Sequence, residues 1–154
     1  MKKFRFKFDS VLKVRKSEEE SALRALGAAQ RAHQEELRKK EKVAKDLSNA
    51  LLRRENLGTE STRTPIDILP FRMENEFITG LKQRLIQADH AIMRASRGVE
   101  KALRAFLIAR RKTRMMETLY ERDLAEFRRE RAKYEQHQLD DLNIMRARFK
   151  EKVA

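Results

Sequence analysis

A seven-residue hydrophobic repeat runs through the second half of the chain. Its first set of positions is spaced seven apart without a gap: Ile78, Leu85, Ile92, Val99, Phe106, Thr113, Tyr120, Phe127 and Tyr134. A second set follows three residues behind the first: Leu81, Ala88, Ala95, Ala102, Ala109 and Met116. Two such sets correspond to the a and d positions of a left-handed coiled coil. Alanine at most d positions predicts that a partner helix approaches this one closely.

The repeat changes character beyond Tyr120. Asp123 and Glu130 occupy the next two d positions, where an apolar residue is expected. The apolar set from here on is Leu124, Phe127, Tyr134, Leu142, Met145 and Phe149. We therefore expect a different surface to take over in this part of the helix.

The first half of the chain also predicts a long amphipathic helix. No proline occurs from Asp9 to Leu57, and Asp9 or Ser10 can accept hydrogen bonds from the free N–H groups at a helix start. Apolar residues recur at spacings of mostly three, four and seven, at Leu12, Leu23, Leu26, Leu37, Ala44, Leu47 and Leu51. The stripe is thin, because polar residues interrupt it at Gln30, His33 and Lys40. Such a helix needs a partner to bury its apolar side.

A single loop-like stretch, NLGTESTRTPIDILP, separates the two helical patterns. Gly58 is typical of a helix C-cap, and Thr64 followed by Pro65 is typical of a helix start. Pro70 predicts a second break. These signals predict one helix over about 9–57, a linker over 58–70, a second helix over about 71–152, and a single domain over 1–154.

Two long helices joined by a short linker predict an all-α fold, a two-helix antiparallel coiled-coil hairpin. If residue 57 lies beside residue 72, the numbers of paired residues add to about 129. Leu37 is then expected to meet Ile92, Leu26 to meet Leu103, and Leu47 to meet Leu81. In this register the start of the first helix, Asp9, lies level with Tyr120 of the second. Roughly the last 30 residues of the second helix then have no intrachain partner. An open rod that dimerises is the alternative.

Three aromatic residues, Phe4, Phe6 and Phe8, alternate with Arg5 and Lys7 at the start of the chain. Alternation of this kind is typical of a strand, but the rest of the sequence offers no sheet. Two hypotheses remain open. The aromatic residues pack as an arm against the surface near Leu124 and Phe127, or they form a free docking peptide.

Composition narrows the class of protein. The 154-residue chain is 40% charged, has four Gly, two Pro and no Cys, and carries a net charge of +13. The absence of cysteine fits a reducing compartment, and no apolar run approaches the roughly 20 residues of a membrane span, so we expect a cytosolic protein. The charge favours an acidic partner of some kind. The most basic zone, residues 82–114, includes Arg110 and Arg111, and it is either a solvated outer face or a docking stripe.

The sequence offers no arrangement typical of an enzyme. None of the three histidines, His33, His90 and His137, has a second histidine or a carboxylate at a metal-ligand spacing that repeats elsewhere in the sequence, and phosphate-loop and hydrolase motifs are missing. We therefore expect no catalytic residue, no metal and no cofactor. Nucleic-acid binding has the charge in its favour, but no zinc finger, basic zipper or aromatic platform accompanies it.

The opening of the chain resembles that of the flagellar export protein FliJ family, whose members often begin KF-x-F-x-L/F-x-x-[LV]L-x-x-R-x-x-E. The matching residues are Lys3, Phe4, Phe6, Phe8, Val11, Leu12, Arg15 and Glu18. The F-I-x-x-L patch that commonly opens the family's second helix is matched by Phe77, Ile78 and Leu81. Pro70 and the segment RMEN stand where many members have a polar-aromatic segment.

The resemblance implies a non-enzymatic, stalk-like component of the flagellar type III export apparatus, with a role in flagellum biogenesis, motility and chemotaxis. It implies binding to the hexameric export ATPase and to the cytoplasmic domain of the export gate, escort of export chaperones, and a position at the cytoplasmic face of the inner membrane. The candidate partner-binding residues are Phe77, Leu81, Leu124, Phe127, Tyr134, Arg110 and Arg111. A basic coiled coil that binds nucleic acid or an acidic membrane surface is the alternative function.

Overall fold

The chain folds into two long helices. The computed structural model describes the backbone of residues 3–60 and 68–153, and the side chains of residues 3–59 and 68–148. Helix α1 spans Asp9–Glu60 and helix α2 spans Ile68–Val153, and no strand occurs in the described ranges. The helices pack closely against each other in antiparallel directions, so the predicted all-α hairpin is confirmed.

The helix ends differ from the prediction. Gly58 lies inside α1, and it is not a left-handed cap because no described glycine has a positive φ. Pro70 lies in the first turn of α2 rather than before it. Proline is tolerated there because the N–H groups of a first helical turn have no partner within the helix. Thr64 and Pro65, the predicted start signal, lie outside the described residues.

The heptad pattern of α2 is confirmed. Each of its a and d positions from Ile78 to Tyr120 is buried or half-buried. Thr113, a polar a-position residue, is 3% exposed, and its hydroxyl donates to the backbone oxygen of Arg15 or Ala109 at 3.1 and 3.2 Å. A threonine is tolerated in the seam because these oxygens satisfy its hydroxyl.

The seam of α1 differs from the predicted leucine stripe. Apart from Gly27, the buried and half-buried positions of α1 form two sets with a spacing of seven: Leu12, Glu19, Leu26, His33, Lys40, Leu47 and Arg54, and Arg15, Ala22, Ala29, Glu36, Val43, Ala50 and Leu57. Leu23, Leu37, Ala44 and Leu51 are exposed, so their assignment to the seam was wrong. Leu37, which was expected to meet Ile92, is 44% exposed. The prediction chose Leu23, Leu37 and Leu51 because leucine is more apolar than the seam residues that directly precede them, Ala22, Glu36 and Ala50.

Charged seam residues of α1 reach partners on α2. The Lys40 Nζ atom lies 2.6 Å from Asp89 Oδ1, and the Arg110 Nη1 atom donates to Glu19 Oε1 at 3.2 Å. The residue numbers of both pairs add to 129, which confirms the predicted register. Long side chains can lie in a seam in this way because their aliphatic parts pack while their charged ends reach the edge.

Tertiary contacts divide the chain into two units, each containing part of both helices. The first, the terminal unit, comprises Met1–Glu20 and Ile108–Ala154, and the second, the central unit, comprises Ser21–Leu107. The assignment of residues 1–154 to one domain stays a prediction.

The tightest packing of the central unit lies around Ala50. Ala50, Ile78 and Leu81 are 0%, 2% and 3% exposed, and Val43 and Leu47 pack against them. Leu47, which was expected to meet Leu81, thus packs against the cluster that contains Leu81. The small side chain of Ala50 leaves room for the larger side chains of Ile78 and Leu81 on α2.

Removing the side chain at the centre of this cluster should destabilise the chain. We expect Ile78→Ala to lower the free energy of unfolding by about 2–4 kcal/mol, because buried Ile-to-Ala changes remove contacts and leave a cavity. Thermal unfolding followed by circular dichroism measures the effect. The control is Ile86→Ala, since Ile86 is 58% exposed. Equal destabilisation by the two variants would contradict the assigned seam.

Candidate partner-binding surface

Residues 3–8, here called the N-terminal arm, pack against α2 within the terminal unit. The ring centroid of Phe4 lies 5.7 Å from that of Tyr120 and 5.4 Å from that of Phe127. Phe6 is 7% exposed, and its centroid lies 5.2 Å from that of Tyr120 in an edge-to-face arrangement. Of the two hypotheses for these aromatic residues, the packed arm is therefore confirmed.

The alternation of aromatic and basic residues in the arm has a structural reason. Residues 3–6 are neither helix nor strand, and a turn at residues 7–8 leads into α1, where Leu12 N–H donates to Phe8 C=O at 2.9 Å. Phe4 and Phe6 reach α2, while Arg5 between them is exposed. Aromatic pairs of this geometry contribute about 0.5–1.5 kcal/mol each beyond the area they bury.

The arm covers part of the predicted partner surface. Leu124 and Phe127 are half-buried, and the Phe127 ring is in contact with Phe4. Tyr134, predicted to belong to the same surface, is 53% exposed. The structure thus separates the three residues into two covered by the chain itself and one that is open.

Helix α2 continues for 26 residues beyond Phe127, and we call residues 128–153 the α2 extension. Every side chain from 128 to 148 is exposed, including five large apolar ones: Tyr134, Leu139, Leu142, Ile144 and Met145. Its hydrogen bonds from Arg131 to Glu135 and from Gln138 to Tyr134 join residues one turn apart. The side chain of Phe149 lies outside the described residues.

The predicted Phe77–Leu81 patch is also divided by burial. Leu81 is 3% exposed and belongs to the core cluster, so it is not accessible to a partner. Phe77 is 46% exposed, and the Arg53 guanidinium carbon lies 5.9 Å from its ring centroid. Of this pair, Phe77 alone presents a surface.

The two predicted arginines differ in their surroundings. Arg110 pairs with Glu19, and Arg111 is exposed one residue further on. In the central unit, α2 carries four exposed basic residues at spacings of three or four, which we call the basic stripe: Arg94, Arg97, Lys101 and Arg104. The shortest Arg104–Glu100 approach is 3.9 Å, so this carboxylate neutralises the stripe only weakly.

The described residues offer no candidate metal centre. They contain no cluster of three or more His, Asp or Glu side chains that could bind a metal ion. A hydrogen bond to Glu36 raises the pKa of Lys39, which keeps the amine protonated at neutral pH. A protonated, exposed lysine is no base or nucleophile, so this shift indicates an ion pair rather than a reactive group.

Two long helices in close contact, with no strand in the described ranges, define an all-α helical hairpin protein. The profile of the family described as "Flagellar FliJ protein" matches residues 4–152, nearly the whole chain. The chain belongs to this family, which is a non-catalytic component of flagellar export. No curated protein and no solved structure matches the chain. Neither described helix contains a segment long and apolar enough to cross a membrane.

Disrupting the arm should loosen the helix beneath it. We expect Phe6→Ala to speed amide exchange at residues 116–127 by about tenfold or more, because the removed ring packs on Tyr120. Hydrogen exchange read by mass spectrometry measures this change. Val14→Ala, at a residue 56% exposed in the same unit, is the control. Unchanged exchange in the Phe6 variant would show that the arm does not hold this segment.

Proposed function

We propose that the chain is a non-enzymatic stalk and coupling protein of the flagellar type III export apparatus. In this proposal it binds the hexameric export ATPase and the cytoplasmic domain of the export gate, escorts export chaperones, and works at the cytoplasmic face of the inner membrane. The observation that carries the proposal is the α2 extension, an exposed helix with apolar side chains in a chain whose family serves flagellar export.

The α2 extension has the physical character of a binding segment. Most helical stability in proteins comes from packing of an apolar face, and isolated helices are marginal in water. Tyr134, Leu142 and Met145 are 53%, 56% and 65% exposed, and these side chains gain burial only from a partner. A helix can supply them to a groove or ring through contacts spaced three or four residues apart. We assign this segment to the export ATPase.

Phe77 supports a second contact, which we assign to the export gate. Aromatic residues and arginine are enriched among the residues that dominate binding energy at protein interfaces. Phe77 and Arg53 stand together on the surface of the central unit, each contributed by a different helix. The inward-facing Leu81 then supports the patch from beneath by fixing the local packing of α2.

The coupling role follows from contact rather than chemistry. A protein without reacting groups affects an ATPase only by binding some of its conformations more tightly than others. Two contacts on one hairpin allow the state of one partner to bias the other, if both depend on the same conformation of the chain. We propose this as the way in which the chain connects ATP hydrolysis to the gate.

The basic stripe favours a second candidate function, binding to nucleic acid or to an acidic membrane surface. Arg94, Arg97, Lys101 and Arg104 lie on an exposed side of α2, where they can meet phosphate groups. Such binding falls steeply with salt, because it releases counterions. A pull-down with purified export ATPase and gate domain, beside a salt titration of binding to DNA and to acidic vesicles, separates the two functions.

Replacing apolar residues of the α2 extension should weaken ATPase binding. We expect Tyr134→Ala combined with Leu142→Ala to cost about 1–3 kcal/mol in binding, a typical value for central interface residues. Isothermal titration with the purified ATPase measures the loss. Leu52→Ala is the control, since Leu52 is 59% exposed on α1. If the control weakens binding as much as the double variant, the extension is not the ATPase contact.

Phe77→Ala should weaken binding to the export gate while the helical content stays the same, because the ring is half-exposed and off the seam. A reduction of about tenfold or more in affinity is expected for a residue at the centre of an interface. The control is Phe71→Ala, because Phe71 is 42% exposed and lies six residues earlier, on another side of the helix. Unchanged gate affinity in the Phe77 variant would place the contact elsewhere.

A further inference from the structure

The N-terminal arm continues along α2 from the point where α1 begins. The ion pair of Glu19 with Arg110 sets a register in which paired residue numbers add to 129, so the first residue of α1 lies level with Tyr120. Beyond that level the arm takes over, and the ring centroid of Phe4 lies 5.4 Å from that of Phe127. The arm thus covers rings of α2 that α1 does not reach.

Tyr120, Phe127 and Tyr134 form one aromatic row on α2. Residues seven apart occupy the same position in successive heptads, so the three rings lie on one side of the helix. Tyr120 and Phe127 are half-buried and in contact with the arm, whereas Tyr134 is 53% exposed. The row therefore passes directly from the covered surface to the open α2 extension, and departure of the arm adds two aromatic rings to the open surface.

Packing of aromatic rings holds the arm on α2. The ring of Phe4 contacts those of Tyr120 and Phe127, and the ring of Phe6 contacts that of Tyr120. Among the described residues, no hydrogen bond or ion pair joins residues 3–7 to α2. Release of the arm therefore breaks no hydrogen bond between described residues, and it avoids the large cost of leaving a buried donor or acceptor unpaired.

The arm is not packed along its whole length. A cleft of about 480 Å³ lies between the arm, the first residues of α1 and Tyr120. A turn at residues 7–8 joins the arm to α1. Backbone rotation at residue 7 can move the arm while α1 keeps its first hydrogen bond, from Leu12 N–H to Phe8 C=O. The arm can therefore leave α2 without the unfolding of either helix.

We propose that the arm is an autoinhibitory strap. In the free chain it covers Tyr120 and Phe127, and the partner that binds the α2 extension displaces it in order to contact the whole aromatic row. The proposal rests on the proposed contact between the extension and the export ATPase, and it adds that the free chain withholds part of the contact surface. A binding-competent state that is only partly populated lowers the apparent affinity by its fractional population.

The strap predicts an effect of opposite sign from other roles of the arm. If the arm served only to stabilise α2, loss of its rings would weaken partner binding, because the helix beneath it would fray. If the arm itself contacted the partner, loss of its rings would weaken binding as well. A strap predicts tighter binding when its rings are removed, because the partner then displaces nothing.

The first test asks whether the arm opens independently of the helices. The chain contains no Trp, so Phe4→Trp places a single fluorescent reporter against Tyr120 and Phe127. In a urea titration, the emission of this reporter is expected to shift to the red at a lower urea concentration than the loss of helix measured by circular dichroism. Coincident transitions would show that the arm unfolds only together with the helices, and they would overturn the strap.

The second test measures affinity for the purified export ATPase by isothermal titration. Phe4→Ala combined with Phe6→Ala is expected to tighten binding by about tenfold or more, which corresponds to a strap that is open in about a tenth of wild-type molecules or fewer. Adding Phe127→Ala should cancel the gain, because one of the uncovered rings is then missing. The control is Val14→Ala, at a residue 56% exposed in the same unit, which should bind like the wild type. Circular dichroism verifies the helices, and Phe4→Ala alone replaces the double variant if that variant loses helix.

The outcomes separate the strap from the function on which it rests. If the wild-type chain binds the ATPase and the arm variant binds equally or more weakly, the strap is overturned while the proposed function is not. A gain in affinity that Phe127→Ala leaves unchanged would also overturn the strap, since the arm would then act through another surface. If no form of the chain binds the ATPase, the strap and the proposed function both fail.

Discussion

The packing of an alanine-rich seam of α2 against a partly polar seam of α1 is the interaction on which the rest of the structure depends. Alanine at most d positions of α2 lets the helices lie close together. The facing seam of α1 contains few large apolar residues and several charged ones. The cluster of Ala50, Ile78 and Leu81 is the most buried part of this seam. Because the seam needs little apolar area, many large apolar side chains of both helices remain at the surface.

The small apolar area of the seam is the reason why exposed apolar side chains are the candidates for partner contacts. In a chain with a large core, most leucine and phenylalanine side chains are buried in that core, and a single exposed one needs no functional explanation. Here Tyr134 and Phe77 stand outside the seam, while the aromatic arm uses Phe4 and Phe6 to cover Tyr120 and Phe127. On α2, the arm thus packs on residues up to Phe127, and the side chains of residues 128–148 are exposed.

The repeat of α2 could be predicted from the sequence, because residues at strict spacings of seven share one side of a helix. The register could be predicted from the short linker, because residue 57 beside residue 72 makes the numbers of paired residues add to 129. The seam of α1 could be predicted only in part, since Leu12, Leu26 and Leu47 lie in it but Leu23, Leu37 and Leu51 do not. Its charged members, such as Glu19 and Lys40, become seam residues only through partners on α2, while Leu37 looks more like a seam residue than Glu36 does. Gly58 likewise needed the structure, since glycine can end a helix or continue it.

The sequence could predict candidate residues for the site, but it could not predict which of their side chains are exposed to a partner. Phe77 and Leu81 are four residues apart and look equivalent in sequence, but the antiparallel partner buries only Leu81. Phe127 is half-buried beneath Phe4, a residue more than a hundred positions away in sequence, whereas Tyr134 is exposed. Burial of this kind depends on contacts between distant segments, so no local pattern reveals it.

The central claim is that the exposed α2 extension contacts the export ATPase. The most direct measurement is photo-crosslinking of the full chain to the purified ATPase, with a benzophenone amino acid introduced as Tyr134→p-benzoylphenylalanine. The account predicts an efficient crosslink from this position and a weak one from the same change at Leu52, another exposed apolar residue. Equal crosslinking from both positions, or none from position 134, would contradict it.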